Sequence, residues 1–274
     1  RQAGRLHGVS LQEYLVYILF FPAYTAGPID RLERFVKDLR APLGSLGADW
    51  QKAAPRLLSG LARKFVLADA LALIALSPAL AGQVSGAGWL WLALIAYSFQ
   101  IYLDFSGYTD LAIGLGLLAG IRLPENFNRP YLKPNLTQFW NNWHMTLTQW
   151  FRAYFFNPLT RWLKRRAPRL PQVLVVFGLQ SATMVLIGLW HGIALNFVLW
   201  GLWHALGLFI NNRWNEKVRP RLPDLTGRPG LNRAVTLLTT LLTFIYVSLG
   251  WLWFLLPDAG QAGRVLLRLF GWGG

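Results

Sequence analysis

The sequence predicts an all-α, polytopic integral membrane protein, on three observations. Apolar residues run in long blocks, several reaching the roughly 20 residues that span a hydrocarbon core. Only 14% of the residues are charged, against about 25% in soluble domains. The net charge of +15 sits between the apolar blocks, where cytoplasmic loops face anionic lipid. Fourteen Trp add to this, because Trp favours the membrane interface. No basic face belongs to a soluble domain, so nucleic acid is not the expected partner. Without cysteine there is no disulfide, thiolate metal site or Cys nucleophile.

The elements follow in order. Leu11–Ile29 reads as a first span, with Glu13 near its start and Gly27-Pro28 at its end. A basic loop with Arg31, Arg34, Lys37 and Arg40 follows. After Pro55 an apolar block runs to about Leu80, carrying Arg63, Lys64 and Asp69 near its beginning. The Gly-rich turn Gly82–Gly88 leads to Trp89–Gly120, long enough for a tilted helix or for a span plus a short extra segment. Pro134–Pro158 is aromatic but too polar for an ordinary span. Its Trp140, Trp143, Leu147, Trp150, Phe151 and Tyr154 recur at helical spacing, which predicts a re-entrant or interfacial amphipathic helix. The basic run Arg161–Arg169 closes it. Pro171–Ile210 is long enough for two crossings, or for two helices meeting at a break, with His191-Gly192 as the only obvious punctuation. A basic loop, Arg213–Arg233, precedes a last span at Ala234–Leu256. This order puts every large basic cluster on one face, taken as cytoplasmic. No internal repeat favours an inverted-repeat transporter. The chain begins at Arg1 without Met or signal peptide, so residues 1–274 are expected to be one domain lacking upstream segments.

Ionisable groups inside spans are functional candidates by default. His191, in Gly188-Leu189-Trp190-His191-Gly192, is either a proton acceptor working near neutral pH or a histidine bonded to a neighbouring helix. His144, in Trp140-Asn141-Asn142-Trp143-His144, is either functional or hydrated at the headgroups. Asp104 and Asp110, six residues apart, favour structural roles, one bonded to a nearby basic or hydroxyl group and the other at the interface. His204 and His7 read as bystanders. There is no Walker loop, HExxH zinc motif or GxSxG elbow, and the four His are too scattered to suggest a metal site.

Four blocks then resemble the membrane-bound O-acyltransferase family. They are Phe20-Phe21-Pro22 through Ile29, Tyr102–Gly114, Asn126–Arg152, and Gly188–His191-Gly192 with Asn196-Phe197 and Trp200-Gly201. They stand in the family's order over most of residues 20 to 205. They are most similar to the bacterial branch with the alginate O-acetylation membrane subunit, and more distantly to D-alanyl transfer proteins of teichoic acid synthesis.

The resemblance implies tilted helices around a water-accessible tunnel in the bacterial inner membrane. It implies acyl transfer from a thioester donor, acetyl-CoA or another, to a hydroxyl, with no bound cofactor. His191 matches the family's central catalytic histidine and His144 its second. Trp140, Trp143 and Trp190 are expected to wall the tunnel, Asn141 or a backbone N–H freed by a helix break to steady an oxyanion, and Asp104 to line the path. The expected partners are the bilayer, the donor, and a periplasmic acyltransferase or an exported polysaccharide such as alginate. D-alanyl transfer to teichoic acid, and a transporter or flippase with a His/Asp proton relay, are the competing readings. A non-catalytic scaffold would have no use for intact tunnel histidines.

Overall fold

The computed structural model describes residues 8–42, 46–84 and 86–272, and these are helical, with no strand among them. His7 lies outside the described residues. The chain divides into two compact units interleaved in sequence. The first comprises Arg1–Leu73, Phe99–Phe127 and Met145–Leu147, the second Ile74–Ser98, Asn128–His144 and Thr148–Gly274.

In the first unit the apolar stretch from Leu11 does not continue as one helix. α1 (Leu11–Ile18) stops at Leu19, and α2 (Phe21–Tyr24) is a single turn begun by Pro22. The predicted first span is therefore two short pieces, and α3 (Leu32–Leu39) forms in the stretch expected to be a basic loop. A reciprocal capping box fixes the start of α1: Ser10 Oγ accepts from the Glu13 N–H, and the Glu13 carboxylate accepts from the Ser10 N–H. Arg40 Nε donates to Glu13 at 2.5 Å, and together with the capping bond this holds that exposed carboxyl well down, at about 2. α4 (Leu46–Leu61) passes through a wider π turn, Ala62–Ala68, into α5 (Asp69–Ala72).

α6 (Pro78–Gln83) precedes the long α7 (Ala87–Leu118), about 48 Å at 1.5 Å per residue. Gly120, at φ 76, ends α7 by letting the Gly120 and Ile121 N–H groups turn back to the carbonyls of Leu117 and Gly116. In the first unit α7 carries a row of ion pairs. Lys64 Nζ donates to Asp104 at 2.5 Å, while Arg56 and Arg63 donate to the two oxygens of buried Asp110 at 2.7 and 2.9 Å. Each carboxylate is matched by a cation, whereas the expectation left one of them at the interface.

In the second unit the aromatic segment is not one helix. α8 (Leu136–Trp140), capped by the Asn135 side chain, is separated by a turn from α9 (Met145–Phe151). The helix resumes as a π turn, Arg152–Phe156, and α10 (Asn157–Arg166). α11 (Gln172–His191) and α12 (Leu195–Lys217) meet at Gly192, where the sequence placed a break. α13 (Pro229–Leu255) and α14 (Ala259–Leu269) complete the unit, and α14 was not anticipated.

Among the described residues α11 and α13 are long and apolar enough to cross a membrane. Leu231, Val235, Leu237, Leu238, Leu241 and Leu242 of α13 are all exposed, as lipid-facing side chains are. Lipid is as apolar as Leu, so association in a bilayer leans on close packing rather than on transfer from water. α11 and α12 show this. A Cβ at Gly201 would stand 2.6 Å from the Met184 carbonyl oxygen, and one at Gly188 would strike that of Phe197. Leu90, Leu94, Leu249, Leu252, Leu256 and Val265 form a core that joins α7, α13 and α14. A buried polar line crosses it: Ser98 Oγ pairs with Ser248 Oγ, Tyr131 Oη donates to the Ser98 carbonyl, and Trp251 Nε1 donates to Tyr131 Oη.

Candidate functional site

His191 is the last residue of α11. Its ring is partly covered and lies among aromatic faces: Trp190 at 4.9 Å, Phe254 at 4.9 Å, Trp200 at 5.8 Å and Phe197 at 6.4 Å between centroids. The chain turns at Gly192 and Ala194 into α12, which brings Phe197 and Trp200 back against the histidine. Helix termination thus frees His191 from a continuous helical wall while keeping it walled by rings.

His144 reaches the same place from the other direction. Asn141 caps α8, and the backbone then reverses through His144 at φ 42, ψ 54, a left-handed conformation uncommon outside glycine. The reversal is held by the Trp143 N–H on the Phe139 carbonyl at 2.8 Å and the Asn128 N–H on the Asn142 carbonyl at 3.1 Å. The His144 carbonyl in turn accepts from the Thr148 N–H and opens α9. His144 is 5% exposed, so the headgroup-hydrated alternative is set aside. Trp190 stands between the histidines, 6.1 Å from His144 and 4.9 Å from His191 between centroids.

A cavity of about 200 Å³ lies one helical turn from each histidine along the chain. Thr148, one turn beyond His144, and Ile187, one turn before His191, are among its lining residues. Gln180, Thr183, Asn212, Thr137 and Arg152 add polar groups, and Trp140, Met184, Leu208 and Phe156 apolar wall. Arg152 is exposed and donates to Asn141 Oδ1 at 2.8 Å, with no carboxylate partner among the described residues. Such a pocket fits an amphipathic ligand with an anionic end.

The predicted residues separate as follows. Trp140 lines the cavity and Trp190 joins the histidines. Asn141 is exposed and tied to Arg152. Trp143 is 4% exposed and stacked 5.5 Å from Phe139 and 5.1 Å from Trp251, a core position. Asp104 belongs to the first unit, paired with Lys64. His204, read as a bystander, is fully buried, 5.0 Å from both Trp140 and Trp200. Its register with Asn196 and Trp200 along α12 was the available signal. Among the described residues no group of three His, Asp or Glu side chains is placed to hold a metal ion.

A family model described as MBOAT, membrane-bound O-acyltransferase family, matches residues 1–223. The chain is 32% identical to a probable alginate O-acetylase AlgI of Pseudomonas syringae over 96% of this chain and 47% of that protein. It is 32% identical to a teichoic acid D-alanyltransferase of Streptococcus thermophilus over 92% of this chain and 65% of the relative. A peptidoglycan O-acetyltransferase of Helicobacter pylori is 30% identical over 96% of this chain and 47% of its own length. The chain spans about half the length of the alginate and peptidoglycan relatives it matches.

Proposed function

Because the chain belongs to the membrane-bound O-acyltransferase family, we propose that it moves an acyl group, acetyl in the first instance, from a cytoplasmic thioester to a hydroxyl on the far side of a bacterial inner membrane. The chain works as one catalytic domain of a multi-pass bundle around a tunnel. The acceptor belongs to an exported polysaccharide, reached directly or through a periplasmic transferase. The relatives' names support this, pairing acetyl or D-alanyl transfer with alginate, teichoic acid or peptidoglycan.

The observation that carries the reading is His191 at the break between α11 and α12, joined to His144 through Trp190, with cavity-lining Thr148 and Ile187 one turn away from them. His191 takes the proton of the acceptor hydroxyl as its oxygen attacks the thioester carbonyl carbon. The tetrahedral intermediate then collapses, the C–S bond breaks, and the thiolate leaves and is protonated. Proton removal by a positioned histidine is worth roughly 10²–10⁴-fold. His144 orients the donor carbonyl. The amide nitrogen of Asn141, whose oxygen is committed to Arg152, donates toward the oxyanion. The donor arm lies in the cavity with its anionic end toward Arg152, and the aromatic walls limit hydrolysis of the thioester.

The test is transfer of label from radiolabelled acetyl-CoA in membranes carrying the full-length protein, with candidate polymer and periplasmic acceptors added in turn. Label that moves with wild type and not with His191→Ala supports the reading. Equal transfer by both sinks it.

A further inference from the structure

α12 carries a stripe that the reaction so far leaves unused. Asn196, Trp200 and His204 recur every four residues on one face and are 4%, 1% and 0% exposed. Asn196 Oδ1, Trp200 Nε1 and both ring nitrogens of His204 have no hydrogen-bond partner among the described residues, nor has Trp140 Nε1. The rings are mutually close. His204 lies 5.0 Å from Trp140 and 5.0 Å from Trp200, and these two are 5.7 Å apart. Trp200 in turn faces His191 at 5.8 Å. At the other end Trp140 lines the cavity, as do Leu208 and Asn212, which continue the register of the stripe. A row of unpaired polar atoms thus joins His191 to the place assigned to the leaving group.

A polar atom buried without a partner keeps the full cost of leaving water. Several in one aromatic box are sustained when ordered water supplies the missing bonds. Indole N–H groups only donate, so they orient water without passing a proton on. An imidazole accepts on one nitrogen and releases from the other. We infer that Asn196, Trp200, Trp140 and His204 enclose a buried water path from His191 to the cavity, with His204 as the station that carries the proton.

The inference rests on the transfer reaction above. The proton that His191 takes from the acceptor hydroxyl passes by water to one nitrogen of His204. It leaves from the other nitrogen and ends on the sulfur of the thiolate released in the cavity. One O–H bond breaks and one S–H bond forms, and no further reactant is needed. His204 acts through His191, so it is a positioning and relay residue.

The test uses the full-length protein with His204→Phe, which fills the space without polar atoms, and His204→Gln, which binds water without carrying a proton. Radiolytic hydroxyl labelling reports bound water beside buried rings independently of activity. Trp140 and Trp200 should be labelled in wild type and in His204→Gln, and protected in His204→Phe. Both variants should turn over roughly ten- to hundred-fold more slowly, and a multi-proton solvent isotope dependence in wild type should become a single-proton one in His204→Gln. Unlabelled Trp140 and Trp200 in folded wild type would overturn the path. Labelling with wild-type turnover in His204→Gln would overturn the relay. Labelled tryptophans in a wild type that transfers nothing would overturn the transfer reading and the relay together, leaving the water path standing.

Discussion

Arg152 donates a hydrogen bond of 2.8 Å to Oδ1 of Asn141, closing a loop of eleven residues. The bond ties the first turn after α9 to the end of α8, and His144 lies on the chain between them. Asn141→Asp keeps an oxygen for Arg152 and removes the amide donor. It should leave thermal stability in detergent near wild type while lowering kcat roughly 10²-fold, read in the acetyl-CoA transfer assay. Unchanged kcat would remove Asn141 from the oxyanion role.

Arg152 bears on binding rather than on the chemical step. Arg152→Gln should raise KM for the thioester donor about ten-fold with a smaller change in kcat, the pattern of lost uniform binding. A fall in kcat at constant KM would place Arg152 in the chemistry.

His144 should respond to substitution twice over, because its backbone is left-handed at φ 42. His144→Asn tolerates that conformation and should stay folded while losing transfer. His144→Val adds a conformational cost of about 1–2 kcal/mol and should melt earlier than the Asn variant. Equal melting of the two would argue against a constrained turn.

The contact of α11 with α12 depends on missing side chains. Gly201→Ala brings a Cβ within 2.6 Å of the Met184 carbonyl oxygen, so backbone must move. A loss of about 1–3 kcal/mol is expected, with reduced transfer because Trp200 and His191 are displaced together. Gly178→Ala, where the added carbon meets nothing within 4 Å, is the matched control on α11.

In the first unit Asp110 accepts from Arg56, Arg63 and Ser59 while only 4% exposed. Asp110→Asn leaves Arg63 without a carboxylate and Arg56 with Glu125 alone. The arginines are more than a third exposed, so screening holds the loss to about 1–3 kcal/mol, measurable as a lower melting temperature in detergent.

Much of this was legible in the residues. The break at His191-Gly192 was visible because nothing else interrupts forty apolar residues, and the cationic partners of Asp104 and Asp110 lie within the block that begins after Pro55. The aromatic segment was misread as one helix because Trp140, Trp143, Leu147 and Trp150 keep helical spacing across a turn. Spacing alone does not report the reversal at His144, which backbone bonds of Asn128 and Trp143 impose. Leu11–Ile29 was misread because apolar content outweighed Pro22 and Gly27-Pro28. His204 looked incidental because a histidine's neighbours across helices are not written in its own segment; only tertiary packing puts Trp140 beside it.

The interleaving of the two units sets an order of assembly. The first unit needs Phe99–Phe127 and Met145–Leu147, so it waits until the ribosome has passed residue 147. The second opens at Ile74 and closes only with α14. Its contacts between α7 and α13 are far apart in sequence, and such pairings form late. His204 and His191 reach their final surroundings only after α13 supplies Trp251 and Phe254, so both aromatic enclosures stay open until the last long helix is made.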